Sequence, residues 1–160
     1  MGAQRRSRCA VCDTRLVIRP YTDDDLGDVL DAWYRSSVVA HSFLNEGFFD
    51  EERERLAEMW LPESDTSVFE VDGRVVGFVS MVGNEVGGIF VNPEYQNQGI
   101  GRSLLNHVAA TRRYLELEVF EANTIGRRFY SAYGFRVVSK GVESSTGLPA
   151  LRLRIDGILP

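Results

Sequence analysis

The sequence predicts an α/β (α+β) domain of about seven strands and about four helices, and three local patterns carry that prediction. Asp72-Gly73 between two apolar runs is the strongest short hairpin signal in the chain. The turn Gln96-Asn97-Gln98-Gly99-Ile100-Gly101 ends a strand and opens a helix, because Ile100, Leu104, Leu105 and Val108 recur on one helical face. Leu115 to Phe120 alternates apolar and acidic residues at the period of a strand, and Asn123 then caps a helix that stops at Gly134.

Leu16-Val17-Ile18-Arg19-Pro20 reads as a first strand closed by proline. Asp23, Asp24 and Asp25 supply cap and first-turn carboxylates for a helix carrying Leu26, Val29, Leu30 and Trp33, a reading preferred over a metal loop. A second helical stretch is expected from about Phe43 to Trp60, broken or reoriented around Gly47 and ended by Pro62, with Glu51, Glu52, Arg53, Glu54 and Arg55 on a solvated face. Residues 68–71 and 75–82 form the hairpin. Residues 86–91 form the next strand, in which Gly87-Gly88 suits a bulge or a close backbone approach. The helix opened at Ile100 follows, with His107 read as structural, then the strand 115–120 and the helix containing Phe129 and Tyr130. Residues 136–142 and 151–155 make two closing strands around a Gly/Ser/Pro loop.

A length of 160 residues fits one domain with a single sizeable core, expected over residues 15–160 behind a poorly ordered leader at 1–14. Nothing in the sequence approaches the ~18–20 apolar residues of a membrane span or the apolar stretch of a signal peptide, so no membrane partner and a cytoplasmic location are expected. The net charge of −5 argues against a nucleic-acid partner and leans toward cationic ones such as amines, lysine side chains or basic peptides. Cys9 and Cys12 are the chain's only cysteines. Two thiolates fall short of the usual four-ligand zinc site, and no metal is expected; a redox role for a pair in a basic leader is also poorly supported.

A helix N-terminus carries unpaired N–H groups and partial positive charge, and Gly99 and Gly101 let an anion approach them without a side chain in the way. Arg102, in the first turn, adds a cation. The segment is a candidate diphosphate cradle.

Gln96 to Gly101, together with the spaced pattern Asn123, Phe129-Tyr130 and Gly134-Phe135, resembles the GCN5-related N-acetyltransferase (GNAT) superfamily over roughly residues 15–156. Ala40-His41-Ser42-Phe43-Leu44 and Gly147-Leu148-Pro149 are similar to its YjaB-like bacterial protein-acetylating members. The resemblance implies the acyl-CoA N-acyltransferase fold: a mixed, twisted central sheet whose fourth and fifth strands run parallel and then splay, with the pantetheine arm of acetyl-CoA in the opening. It implies cofactor contacts from Ile89, Phe90 and Val91, from Gln96, Asn97, Gln98, Gly99, Ile100, Gly101 and Arg102, and from Asn123 and Phe129.

Transfer of acetyl from a thioester to an amine needs a base, because an alkylammonium of pKa ~10.4 must lose a proton before attack. Glu118 is the candidate, with Glu116 on the same strand face in reserve. Backbone N–H groups near Val91 would hold the oxyanion. Tyr130 falls at the family's tyrosine position and would protonate the leaving thiolate, although a core aromatic beside Phe129 and Tyr133 is its alternative. His41 precedes a segment that in the family walls the acceptor pocket; a helix-start histidine bonded to backbone is its alternative. With no cysteine near these residues, direct transfer in a ternary complex is expected. The resemblance implies a protein or peptide amine as acceptor, with a small-molecule amine as the alternative, and the chain is expected as a monomer or homodimer; the rival reading is a non-catalytic CoA-binding regulatory module.

Overall fold

The computed structural model describes residues 14–157, so the leader cysteines Cys9 and Cys12 lie outside the described residues. The elements are β1 (Leu16–Pro20), α1 (Leu26–Ala40), α2 (Glu46–Arg55), β2 (Asp65–Val71), β3 (Arg74–Val82), β4 (Glu85–Val91), α3 (Ile100–Ala109), β5 (Tyr114–Phe120), α4 (Thr124–Tyr133), β6 (Arg136–Val142) and β7 (Pro149–Asp156). They build one seven-stranded sheet in the order β1-β2-β3-β4-β5-β7-β6. All neighbours are antiparallel except β4 and β5, which run parallel.

The β2–β3 hairpin turns at Asp72 and Gly73, both at positive φ (49° and 86°), the backbone that a two-residue type I′ turn requires. The second helix departs from the sequence expectation. Asn45 caps it, its side chain accepting from Phe48 N–H at 2.9 Å, so the helix starts at Glu46 and Gly47 lies in its first turn without breaking it. It then runs through a wide π-helical turn, Leu56–Trp60, into a last turn at Leu61–Glu63. The wide turn comes just before Pro62, whose ring and missing N–H are incompatible with an uninterrupted α-helical ladder. Pro62 therefore sits inside the last turn, and the helix ends one residue later, at Glu63. His107 is solvent-exposed on α3, outside the core.

Two apolar cores flank the sheet. Val29 and Trp33 of α1 and Phe49 of α2 pack against Val68, Val75 and Phe78 on one face. Leu104, Leu105 and Val108 of α3 pack against Val79, Met81, Leu115, Leu117 and Leu153 on the other, where Phe129, Tyr130 and Tyr133 of α4 join them. Side chains alternate along a strand, so the apolar Leu115, Leu117 and Val119 face α3 while Glu116, Glu118 and Phe120 face the α1/α2 side.

The sheet has one interior break. β4 and β5 share a single backbone pair, Glu85 with Glu116, and then part. On β3 the register jumps from Ser80 opposite Gly88 to Met81 opposite Val86, which makes Gly87 the extra residue of a bulge at the point of parting. Side chains clamp the closed end. Arg152 of β7 donates to both Glu85 oxygens at 3.0 Å and to Glu116 at 2.9 Å, and Arg154 reaches Glu116 at 2.7 Å with its guanidinium 4.0 Å from the Tyr114 ring centre.

A second ionic anchor fixes the far edge, where Arg19 of β1 donates to Glu70 at 2.8 Å and to both oxygens of the buried Asp25 at 2.7 and 2.8 Å. Those bonds hold the Asp25 carboxyl below the ordinary carboxylate range. A folded-state pKa below the unfolded value near ~3.9 means that the stabilisation is full above that value and is lost as pH falls through the folded one. Asp25→Asn should therefore lower stability by about 1–3 kcal/mol at pH 7, with the deficit shrinking toward pH 2. Urea unfolding of both proteins across that pH range measures it.

Candidate active site

A cavity of about 980 Å³ fills the gap between β4 and β5 and draws its walls from helices on both faces of the sheet. Beyond Val86, β4 keeps backbone pairing only with β3, so every second N–H and C=O from Gly87 to Val91 faces the gap. Of the residues singled out from the sequence, Ile89, Phe90, Val91, Gln96, Asn97, Gly99, Ile100, Gly101, Arg102, Glu118, Asn123, Phe129, Tyr130 and His41 all line this cavity. Gln98 does not; its amide donates to Glu94 O at 3.3 Å.

The turn after β4 is braced by its own side chains. The buried Asn92 accepts from Glu94 N–H at 3.1 Å, and the Gln96 amide donates to Val91 O at 2.9 Å. Asn97 and Gly99 both take positive φ (60° and 82°) and swing the chain into α3. The first intrahelical bond is donated by Ser103 N–H to Gly99 O, leaving the N–H groups of Ile100, Gly101 and Arg102 as the open helix end. The two glycines differ in purpose. A Cβ at Gly99 would meet nothing within 4 Å, so its requirement is the left-handed backbone. A Cβ on Gly101 would lie 3.0 Å from the Phe129 ring, so this glycine, expected to clear a path for an anion, also makes room for α4 against α3.

At the other wall Asn123 does two things. Its Oδ1 accepts from Gly126 N–H at 2.8 Å, capping α4, and its Nδ2 lies 3.2 Å from His41 Nε2. The cap fixes which way the amide points, so Nδ2 donates and Nε2 accepts, leaving the neutral imidazole with its proton on Nδ1. His41 is the C-cap of α1, its N–H donating to Ser37 O, and not a helix-start residue. Burial pushes its pKa down to about 4, and its Nε2 lone pair is engaged, so the proton traffic expected of it at neutral pH is not available at that atom.

Tyr130 follows Phe129 on α4, with ring centres 5.3 Å from Phe129 and 5.6 Å from Phe135. It belongs both to the core packing and to the cavity wall. Burial pushes its phenol pKa well above the ordinary tyrosine value, so the hydroxyl keeps its proton at any working pH. Glu118 is exposed toward the cavity on the α1/α2 side of β5. Glu116 is different. Bonds from Arg152 and then Arg154 hold its carboxyl below the ordinary range and tie it to the clamp, and it does not line the cavity, so it is not placed to act as the reserve base.

The charges in the wall are sorted by face. Arg102 and Arg128 come from α3 and α4, whereas Glu52 comes from α2, Glu118 from the α1/α2 side of β5 and Glu143 from the loop after β6. The sequence reading assigns Trp33 only a helix face and Glu52 only a solvated one, and it marks neither these nor Phe49 or Phe78 as site residues, yet all four build the α1/α2 wall; Ser37, likewise unmarked, buries its Oγ without a hydrogen-bond partner among the described residues. Among those residues no group of three or more His, Cys, Asp or Glu is placed to hold a metal ion, and no helix is long and apolar enough to cross a membrane.

The family model for the acetyltransferase (GNAT) domain matches residues 62–137. The chain is 31% identical over 134 residues to the peptidyl-lysine N-acetyltransferase YiaC of Escherichia coli strain K12, covering 83% of this chain and 92% of that protein. The chain belongs to the GNAT acetyltransferase family. The fold agrees: the solution structure of apo YjaB from Escherichia coli superposes with a TM-score of 0.79 at 26% identity, over 88% of this chain and 97% of that one. The PaiA N-acetyltransferase of Thermoplasma acidophilum, solved in complex with coenzyme A, gives 0.75 at 19% identity, over 89% and 99%. The GNAT core of this chain thus includes the parallel β4–β5 pair and its splay.

Two measurements check the geometry. The His41 imidazole should show no protonation by NMR between pH 5.5 and 8, and its loss of stability as pH falls from ~6.5 toward about 4 should follow from protons taken up only by the unfolded chain. Gly99→Ala should cost about 1 kcal/mol through backbone strain alone. Gly101→Leu should cost about 1–3 kcal/mol by overpacking against Phe129, read by thermal or urea unfolding.

Proposed function

We propose that this protein transfers the acetyl group of acetyl-CoA to a primary amine, most favourably the side chain of a peptidyl lysine, by direct attack within a ternary complex. The observation that carries the reading is the sorting of charge across one continuous cavity. Its α3/α4 side offers an open helix end with Arg102 and Arg128, suited to the anionic phosphates of the cofactor. Its α1/α2 side offers Glu52 and Glu118 among Trp33, Phe49 and Phe78, suited to an ammonium on an aliphatic stem. The similarity to a peptidyl-lysine acetyltransferase and to a fold that holds coenzyme A supports the same assignment.

The residues present fit the cofactor. Open space at Gly99, unpaired N–H groups at the start of α3 and unpaired backbone along β4 are the features that a diphosphate and an amide-bearing pantetheine arm require. Acetyl-CoA supplies the activated acetyl thioester. Glu118 takes the proton from the incoming ammonium, directly or through water. Backbone N–H groups of β4 that face the gap near Val91 stabilise the charge developing on the carbonyl oxygen. The Tyr130 hydroxyl, held protonated by burial, donates its proton to the departing sulfur. Asn123 and Phe129 hold the α4 wall, and His41 closes the acceptor side as a neutral donor. Among the described residues the cavity wall contains no cysteine, which favours direct transfer over an acyl-enzyme.

Tyr130→Phe should lower kcat by on the order of 10²–10⁴ while CoA affinity is kept. Glu118→Gln should lower turnover most at the acid end of the pH–rate profile, where the ammonium most needs a base. Thiol release with a lysine peptide, beside calorimetric CoA titrations, reads both. Full turnover in Tyr130→Phe with chemistry rate-limiting would return the tyrosine to a packing role.

A further inference from the structure

A second cavity, of about 360 Å³, opens beside the first and is lined by Phe43, Phe120, Glu121, Ala122, Leu148 and Pro149. Phe120 is the lining residue that the two cavities share. The walls are fixed in advance. The rings of His41, Phe43 and Phe120 stand edge to face in a triangle with centres 5.4–5.8 Å apart. Glu121 N–H donates to Pro149 O at 2.9 Å and joins the end of β5 to the start of β7.

The opposite wall belongs to the loop between β6 and β7, held from inside by Glu143. That carboxylate accepts from the N–H and hydroxyl of both Ser145 and Thr146 at 2.7–3.1 Å, and Glu143 N–H donates to Leu148 O at 2.8 Å. Although burial opposes it, those donors keep the carboxyl ionised below the ordinary range. Leu148 and Pro149 are thus presented on a loop that has little freedom left to lose.

We infer that this second cavity seats an apolar side chain of the acceptor peptide, two residues from the lysine that is acetylated. The inference rests on the peptidyl-lysine reading above. Phe43 is left 36% exposed beside the other apolar walls, which no element of this chain covers among the described residues. An acceptor must present its amine in the first cavity, and a free small amine has nothing to place in the second. An extended peptide does: residues i and i+2 point the same way about 6.5–7 Å apart, so a lysine entering the first cavity aims the residue two positions away at the neighbouring one, across Phe120, which lines both. Glu121 on the rim, with Glu118 and Glu143 in the wall of the first cavity, sets a negative field that matches a peptide carrying an ammonium.

The test is a set of lysine peptides with Leu or the near-isosteric Asn placed two residues before or after the acceptor, assayed by steady-state kinetics with the full chain. Leu on one side of the lysine should raise kcat/KM roughly tenfold over Asn, mostly through KM. Ala122→Phe, which fills the cavity, should bring that ratio toward one, with CoA titration confirming a folded protein. Equal kcat/KM for Leu and Asn peptides on both sides, with peptides still acetylated, would overturn the subsite and leave the peptidyl-lysine reading standing. Acetylation of small amines with every peptide inert would overturn that reading, and the subsite with it.

Discussion

Beyond the pairing of Glu85 with Glu116, the facing edges of β4 and β5 carry backbone N–H and C=O groups that bond no neighbouring strand. Interior sheet edges are normally paired, because each unsatisfied backbone group that is removed from water costs free energy. This fold tolerates the gap by opening it into a cavity, and by securing the closed end with side chains. Arg152 reaches from β7 across β5 to β4, doing ionically for the two half-sheets what a backbone ladder does elsewhere. The bulge at Gly87 turns β4 away, and Gly88 lets the Phe90 ring lie where a Cβ would meet it at 2.5 Å. The cavity and the unpaired backbone that lines it both descend from that parting.

Because the gap passes through the sheet, each face contributes its own chemistry. The α3/α4 face is cationic and rich in free N–H groups; the α1/α2 face is aromatic and anionic. Under the proposed reading, two substrates of opposite charge approach from opposite sides, and a bulky acceptor does not compete for space with the cofactor. Glu116 and Glu118 show how finely this is divided. Two residues apart on one strand face, the first is spent on the clamp and the second is left for the cavity.

The sequence disclosed the features that depend on local stereochemistry. The hairpin at Asp72-Gly73, the start of α3 after Gly99, the Asn123 cap and the Gly87 bulge each follow from what a residue or two can do with the backbone. The candidate cofactor and catalytic residues came from the GNAT resemblance, and all of these but Gln98 line one cavity. What escaped depends on partners remote in sequence. His41 meets Asn123 across 82 positions, and Glu116 meets Arg152 and Arg154 across 36 and 38, so nothing local could show that one lone pair and one carboxylate were already engaged. The Gly47 break failed for a nearer reason, since Asn45 supplies a cap that lets the helix begin after it.

The contact of Gly101 with Phe129 binds the start of α3 to the residue just before Tyr130. The ring fits against the bare Cα, so the volumes at the two positions are complementary. A lineage that gains a side chain at 101 must shrink residue 129 in step or slide α4, and sliding α4 displaces the tyrosine hydroxyl. Positions 101 and 129 are therefore expected to drift as a pair, which makes them a signature of coupled substitution readable from sequences alone.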